Sequence, residues 1–264
     1  MSFVYIDLDF NDARGSYRRC CEFVTKNSIK YNLSSDVLED LGGREKKSLY
    51  DLYESDYEWS QKGPIVISPQ ANCRLIFELF TRDAPLCTEN FVALCNGSKG
   101  MSKNGVPLCY VGNRIHRYNE SLGIIQGGDI QFGNGSGGES IWSKKFKDDP
   151  KALKLKHDKV GVLSMGNGGK NSNTSQFFIT LKETGLPAAD KKHCVIGNLV
   201  HGFDTLDLMK ELIARAKSEK EGADSAALEE DEPPISIVIT GSGEWNDTLP
   251  QRGYYDADDT FIST

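Results

Sequence analysis

The hydrophobic rhythm of the chain changes near residue 62. Across "FVYIDLDF" the apolar residues Val4, Ile6, Leu8 and Phe10 alternate with the others, the two-residue period of a half-buried strand. Tyr17, Cys20, Cys21 and Val24 then recur at helical spacing, and a second short helix is predicted through "KSLYDLYESDYEW", ending near the Gly-Pro of "QKGP", a boundary signal. Residues 1–62 therefore read as a small N-terminal α/β accessory extension. From Ile65 onward the texture is one of short strands bounded by Gly, Asn or Pro: "CRLIFELF", "VGVLSMG", "SQFFITL", "HCVIGNLV" and "ISIVITGSG". Regular recurrence of such runs predicts a mainly β sandwich or closed barrel. Two helices interrupt it. "DAPLCTENFVALCNG" sets Cys87, Phe91, Leu94 and Cys95 on one stripe, with Asp83 as candidate N-cap and Gly97 as stop, and "FDTLDLMKELIARAKSEK" does the same with Leu206, Met209, Leu212 and Ile213.

Two polar segments frame the last strand. "SEKEGADSAALEEDEPP" is charged and poor in apolar residues, as a solvated loop would be. The tail, residues 246–264, is acidic but holds Tyr254, Tyr255 and Phe261; it is either a disordered terminus or a segment that docks on a protein surface.

Composition narrows the classes. With 38% hydrophobic and 26% charged residues in 264, the balance is that of a globular chain, and no apolar run reaches the roughly 18 residues of a membrane span. A net charge of -7 without a basic stripe argues against nucleic acid as a partner. The N-terminus carries acids inside its apolar stretch, unlike a secretory leader, so a cytoplasmic location is expected. The seven cysteines are an odd number and contain no CxxC pair; free, mostly buried thiols are expected, and no metal site.

Candidate chemistry concentrates in three stretches. "NRIHRYNESLGIIQGGDI" sets Arg117 and Gln126 nine positions apart. In "SNTSQFFITL" the strand period puts Phe177, Ile179 and Leu181 on one face and Gln176, Phe178 and Thr180 on the other; the second face is either a binding wall or a surface covered by a helix. "SMGNGGKNSNTSQ" is a glycine-rich loop that fits no Walker pattern, and His116 and His193 lack partners at metal spacing. Neither covalent nor metal chemistry is indicated.

"FELFTRDAPLCTENFVALC", "HR" followed by "QGGDI", "GNGSGGESI", "GVLSMGNGGKNSNTSQFFIT" and "KKHCVIGNLVHG" occur in that order over about residues 64–243. Together they resemble the successive motifs of the cyclophilins, the peptidyl-prolyl cis-trans isomerases. The resemblance implies a closed eight-stranded antiparallel barrel, capped at each end by a helix, over residues 63–245. It implies non-covalent isomerisation of Xaa-Pro bonds in peptides and proteins, without a cofactor. The barrier near 20 kcal/mol comes from amide resonance, and the family's arginine, here Arg117, is thought to weaken it by donating toward the prolyl nitrogen. By the same match Gln126 would hold Arg117 and the substrate carbonyl. Phe178 would wall the proline pocket, Asn167 would bind substrate backbone, Gln176 would support the groove and His193 would line its edge. Gly135, Gly166 and Gly168 would form the neighbouring backbone surface.

The pattern is broken in places. Eight residues stand between Arg117 and Gln126 where the family usually has seven; the pocket-floor aromatic is absent, with Leu122 or Gly123 near its place, and Ile124 replaces a common Met. "KETGLPAADKKH" lacks the family's Trp, so weak cyclosporin binding is expected. "KGMSKNGVPLCYVGN" resembles the loop of the divergent-loop cyclophilins; Cys95 matches their thiol, but the last strand has no cysteine to pair with it. Extension and barrel together look most like the peptidyl-prolyl isomerase-like 6 subgroup, which is associated with motile cilia. That resemblance raises an alternative: a weakly active or inactive cyclophilin-fold scaffold in a cilium or flagellum, bound to axonemal microtubule-associated proteins.

Overall fold

A computed structural model describes residues 2–71, 73–220, 231–246, 253–255 and 261–263. They fall into two units, one of residues 1–10 and 73–249, the other of residues 11–72 and 250–264.

The first unit is the barrel. Its strands are β1 (Ser2–Phe10), β2 (Arg74–Leu79), β3 (Ile115–Asn119), β4 (Ile124–Gly127), β5 (Val162–Asn167), β6 (Asn173–Thr180), β7 (Val195–His201) and β8 (Ile237–Trp245). They form one sheet in the order β3-β4-β6-β5-β7-β2-β1-β8, every neighbouring pair antiparallel. Its two edges meet where Ile239 N–H donates to the Asn113 carbonyl at 2.9 Å and Gly112 N–H to the Ile239 carbonyl at 2.8 Å. The sheet thus curls round until its two ends are joined, just before β3, by these bonds and by the Arg114–Val238 bridge. Inside, Phe91, Tyr110 and Phe177 form a mutually tilted or edge-on aromatic trio with centroids 5.2–5.5 Å apart, surrounded by Val4, Ile6, Leu75, Phe77, Ile125 and Leu163.

Two helices pack on this core as expected. The helix Pro85–Asn96 buries Cys87, Phe91, Leu94 and Cys95 and ends at Gly97, whose φ of 61° suits a glycine better than any other residue. Its N-cap is Ala84 rather than Asp83, with Pro85 opening the first turn. The helix Phe203–Lys220 buries Leu206, Met209 and Ile213.

Ser2–Phe10 corrects the expected domain boundaries. The strand does not belong to an accessory extension: it lies inside the barrel sheet, hydrogen-bonded on one side to β2 and on the other to β8. Asp7 and its register partner Arg74 form an ion pair at 2.7 Å, and the Arg74 guanidinium lies 4.2 Å from the centre of the Tyr5 ring and 5.1 Å from that of Trp245. Because β1 and β2 are antiparallel neighbours, Asn11–Asn72 is an insertion within a β-hairpin connection.

That insertion has its own core. In α1 (Ala13–Asn27) the residues Tyr17, Cys20, Phe23 and Val24 are buried. The helix expected over "KSLYDLYESDYEW" is two, α2 (Gly43–Ser55) and α3 (Tyr57–Ser60), because Asp56 leaves the helix and caps α3 by accepting from the N–H groups of Glu58 and Trp59. The same carboxylate accepts from Lys30 Nζ at 2.7 Å and Tyr31 Oη at 2.8 Å, which hold its pKa down to about 2. Phe23 packs edge-on against Tyr53 and Trp59. Following the same numbering, the helices Pro85–Asn96 and Phe203–Lys220 are α4 and α5.

The tail is not featureless: Gly253–Tyr255 (β9) and Phe261–Ser263 (β10) pair antiparallel. Residues 221–230, and most of the tail on which expectations were placed, lie outside the described residues. No described helix is long and apolar enough to cross a membrane. Cys20, Cys87, Cys95, Cys109 and Cys194 are free thiols, and burial pushes the Cys95 thiol well above its ordinary pKa.

Candidate active site

Four strands carry one row of side chains across the outer face of the barrel. Arg117 in β3 is the register partner of Gln126 in β4, Gln126 of Phe178 in β6, and Phe178 of Ser164 in β5. Directly opposed residues of antiparallel strands project to the same side. The row therefore faces away from the core that holds Phe177 and Ile179. The eight residues between Arg117 and Gln126 fit because the turn absorbs them: the Asn119 carbonyl accepts from Gly123 N–H at 2.8 Å, its side-chain oxygen accepts from Leu122 N–H at 2.6 Å, and Gly123 takes a φ of 69°.

Phe178 is not a bare exposed wall, and the helical cover over it is a single 3-10 turn, Pro187–Ala189. It is 4% exposed and packs against Ile124, Ala189 and Leu186. His157 stacks on the ring with centroids 5.6 Å apart, and His193 meets it edge-on at 5.2 Å. His193 Nδ1 donates to the Met165 carbonyl at 3.0 Å, which leaves Nε2 as a bare acceptor at the rim; burial lowers its pKa. His157 is fully buried, with Nδ1 3.0 Å from Asp190 Oδ1 and Nε2 3.0 Å from Ser164 Oγ. Burial lowers its pKa as well, against the opposing pull of Asp190. Sequence reasoning missed this histidine, since a single His in "KLKHDKV" has no spacing to mark it.

A second missed residue shapes the neighbouring loop. Asp129, fully buried, accepts hydrogen bonds from the backbone N–H groups of Gln131, Phe132, Asn134, Gly135 and Gly137 at 2.8–3.3 Å. Burial alone would raise its pKa, but these donors outweigh it and hold the carboxyl below its ordinary value. Gln176 finishes the loop, donating from Nε2 to the carbonyls of Gly135 at 2.9 Å and Gly137 at 2.7 Å. The only signal was the Gly-Gly-Asp after Gln126.

The result is a chain of adjoining cavities. One, of about 360 Å³, is lined by Arg117, Leu122, Ile124, Gln126, Phe178 and His193, with Leu186 and Ala189 also on its wall. The next, of about 450 Å³, is bordered by Gln126, Gly135, Gly166, Asn167, Gly168 and Gln176. Gly166 sits close under Gln176: a Cβ on it would stand 3.1 Å from the Gln176 Cβ, tighter than an ordinary contact. All eleven residues singled out from sequence thus line these two cavities. Asn167 is tied by its Nδ2 to the Lys192 carbonyl at 3.1 Å.

One expectation fails. Gln126 does not hold Arg117: its Nε2 donates to Gln176 Oε1 at 2.7 Å. Arg117 is instead paired with Asp231, with Nε at 2.8 Å and Nη2 at 2.7 Å from Oδ2. Asp231 comes from the far end of the acidic stretch, 114 positions away in sequence, so no local pattern couples the two.

A closed eight-stranded barrel with an apolar pocket facing an arginine defines a peptide-binding barrel of the prolyl isomerase class. The chain belongs to the cyclophilin-type peptidyl-prolyl cis-trans isomerases: the family model "Cyclophilin type peptidyl-prolyl cis-trans isomerase/CLD" matches residues 66–240. The chain is also similar to the NK-tumor recognition proteins of Mus musculus and Homo sapiens, each 44% identical over 146 residues. That region is 55% of this chain but only 10% of each of those proteins.

Proposed function

We propose that the protein isomerises Xaa-Pro bonds in peptides and proteins, with Arg117 as the electrostatic catalyst. The observation that carries this reading is that the Arg117 guanidinium and the Phe178 ring border the same cavity of about 360 Å³. The apolar wall of Phe178, Ile124, Leu186 and Ala189 receives the prolyl ring. A guanidinium at its side donates to the prolyl nitrogen as the bond twists, stabilising the lone pair that resonance otherwise spreads over the amide. Gln126 and Asn167 offer hydrogen bonds to the peptide backbone, and His193 Nε2 offers an acceptor. No group changes its covalent bonds.

The test is exchange spectroscopy on a short Ala-Pro peptide with the parent protein and with Arg117→Ala. Turnover in the parent and a loss of at least about tenfold in the variant, roughly the 1.4 kcal/mol of one charged hydrogen bond or more, support the reading. Turnover at the uncatalysed rate in the parent overturns it.

A folded insertion of 62 residues in the β1-β2 connection favours a second reading, that of a cyclophilin-fold binding protein fixed in an assembly such as a ciliary axoneme rather than a freely cytoplasmic enzyme. Fractionation separates the two: release from the cytoskeleton only by high salt favours the fixed component, and recovery in the soluble fraction counts against it.

A further inference from the structure

Beside the prolyl cavity, across Arg117 and Gln126, lies another of about 360 Å³, bordered by Arg114, His116, Arg117, Asp231 and Glu232. Arg117 lines both cavities, whereas Asp231 lines only this one, so their ion pair draws the guanidinium away from the prolyl side. One carboxylate oxygen takes both Nε and Nη2 of Arg117. The carboxylate is itself held from the strand that bears the arginine: the Asp231 carbonyl accepts from Tyr118 N–H at 2.8 Å, and its other oxygen accepts from Asn119 Nδ2. Arg114 and Glu232 stand 3.6 Å apart alongside. Both ring nitrogens of His116, which is part-buried in this cavity, have no hydrogen-bond partner among the described residues.

A charge-assisted pair at 2.7 Å places a negative charge against the group whose positive charge is to act on the substrate. The pair is also accessible, with the Arg117 and Asp231 side chains about one third exposed, so a cation brought by the ligand can compete for the carboxylate. An anion brought by the ligand would instead have to displace Asp231 from Arg117 or Glu232 from Arg114, and neither exchange frees the Arg117 guanidinium. We propose that Asp231 is a specificity-determining residue and that the cavity it borders is a subsite for a Lys or Arg flanking the substrate proline: the substrate's cation takes over Asp231 and frees the Arg117 guanidinium for the prolyl amide. The proposal rests on the isomerase reading given above. Asp231 acts through Arg117 and is a positioning residue, not a catalytic one.

The experiment compares three otherwise identical proline peptides carrying Lys, Ala or Glu next to the proline, in sets with that residue before it and after it. Affinity and exchange rate are measured separately by NMR on the parent, Asp231→Asn, Asp231→Ala and Glu232→Gln. The expected order in the parent is Lys, then Ala, then Glu. Both Asp231 variants are expected to flatten that order and to gain about three- to fivefold in affinity or rate with the Ala peptide, the range an exposed ion pair supports. Added salt is expected to raise the parent's rate with the uncharged peptide and to leave the Asp231 variants unmoved, which a merely structural role for Asp231 would not produce. Glu232→Gln removes a neighbouring charge, paired with Arg114 rather than Arg117, and is expected to weaken the order less than either Asp231 variant and to bring no gain with the Ala peptide. An unchanged order in the Asp231 variants, or weaker handling of the Ala peptide by both, overturns the proposal. Were no protein in the set to turn over peptide, the isomerase reading would fail while the affinity order still decided whether Asp231 selects for charge.

Discussion

Asp129 shows how much of the groove depends on one carboxylate. Five backbone N–H groups converge on it, so it fixes the carbonyls that Gln176 then clasps, and Gln176 in turn orients Gln126. Asp129→Asn keeps the shape but turns an amide NH2 toward donors that need an acceptor. The expected cost is about 2–4 kcal/mol of stability, because buried N–H groups are left unpaired, together with weaker peptide binding as Gly135 and Gly137 shift. Urea unfolding read beside a peptide titration checks both; an unchanged urea midpoint would mean that the loop holds itself. The groove's second anchor, Phe178, is tested by Phe178→Ala. That change removes the wall between His157 and His193 and is expected to cost about 3–5 kcal/mol and to abolish peptide binding. At this scale the sequence told which residues sit together within a strand, as with Gln176 and Phe178. It could not tell that Asp231 would claim Arg117, or that His157 would stack on Phe178, because Asp231 and His157 come from loops that are distant in sequence from their partners.

At the scale of elements the instructive case is β1. Its alternation of Val4, Ile6, Leu8 and Phe10 is legible as a strand, and those four side chains are indeed buried. What the pattern cannot show is the partner, since a period of two is the same whether a strand finishes a small extension or sits between β2 and β8. The separation of β1 from β2 by a long polar and helical stretch pointed to the wrong neighbour. Helices α4 and α5 were legible because their apolar stripes and stops are local, and Asp83 was misjudged as a cap because Pro85 already provides the opening turn. The two kinds of truncation make this testable. A chain beginning at residue 63 lacks an internal strand, leaves the facing edges of β2 and β8 unpaired, and is expected to be insoluble or unfolded. Replacing Asn11–Asn72 by a short Asn-Gly turn keeps β1 and is expected to leave a folded barrel, because shortening a connection lowers the entropy of closing it. Far-UV circular dichroism and cooperative unfolding of the two chains would decide; a folded chain from residue 63 would mean that β1 is dispensable.

For the whole molecule, the histidines make stability depend on pH in a way that the acidic composition alone does not suggest. All four histidines lie in the barrel unit, at positions 116, 157, 193 and 201. Three of them, His116, His157 and His193, have pKa values lowered, in each case first by burial of the ring. In the unfolded chain they titrate near the ordinary ~6.5. Between that value and their lower folded values, the unfolded state binds more protons than the folded one, so stability rises with pH there and is lost as pH falls. Up to three protons drive this first loss, which begins near pH 6.5. A second follows in stronger acid, where the carboxyls of Asp129 and Asp190, both lowered in the folded state, must accept protons in order to unfold the barrel. The insertion has no histidine, and its lowered carboxyls, Asp56 and Glu45, contribute only to the second loss. Urea midpoints of the barrel are therefore expected to be level from pH 8 to 7 and to fall as the pH drops below about 6.5. The His157 ring resonance, read by NMR, should move to its protonated position only at a pH below that of a free imidazole while the protein is folded. A midpoint that holds constant down to pH 5 would mean that the buried rings accept protons in place. The pairing of His157 with Asp190 would then outweigh the burial that lowers its pKa.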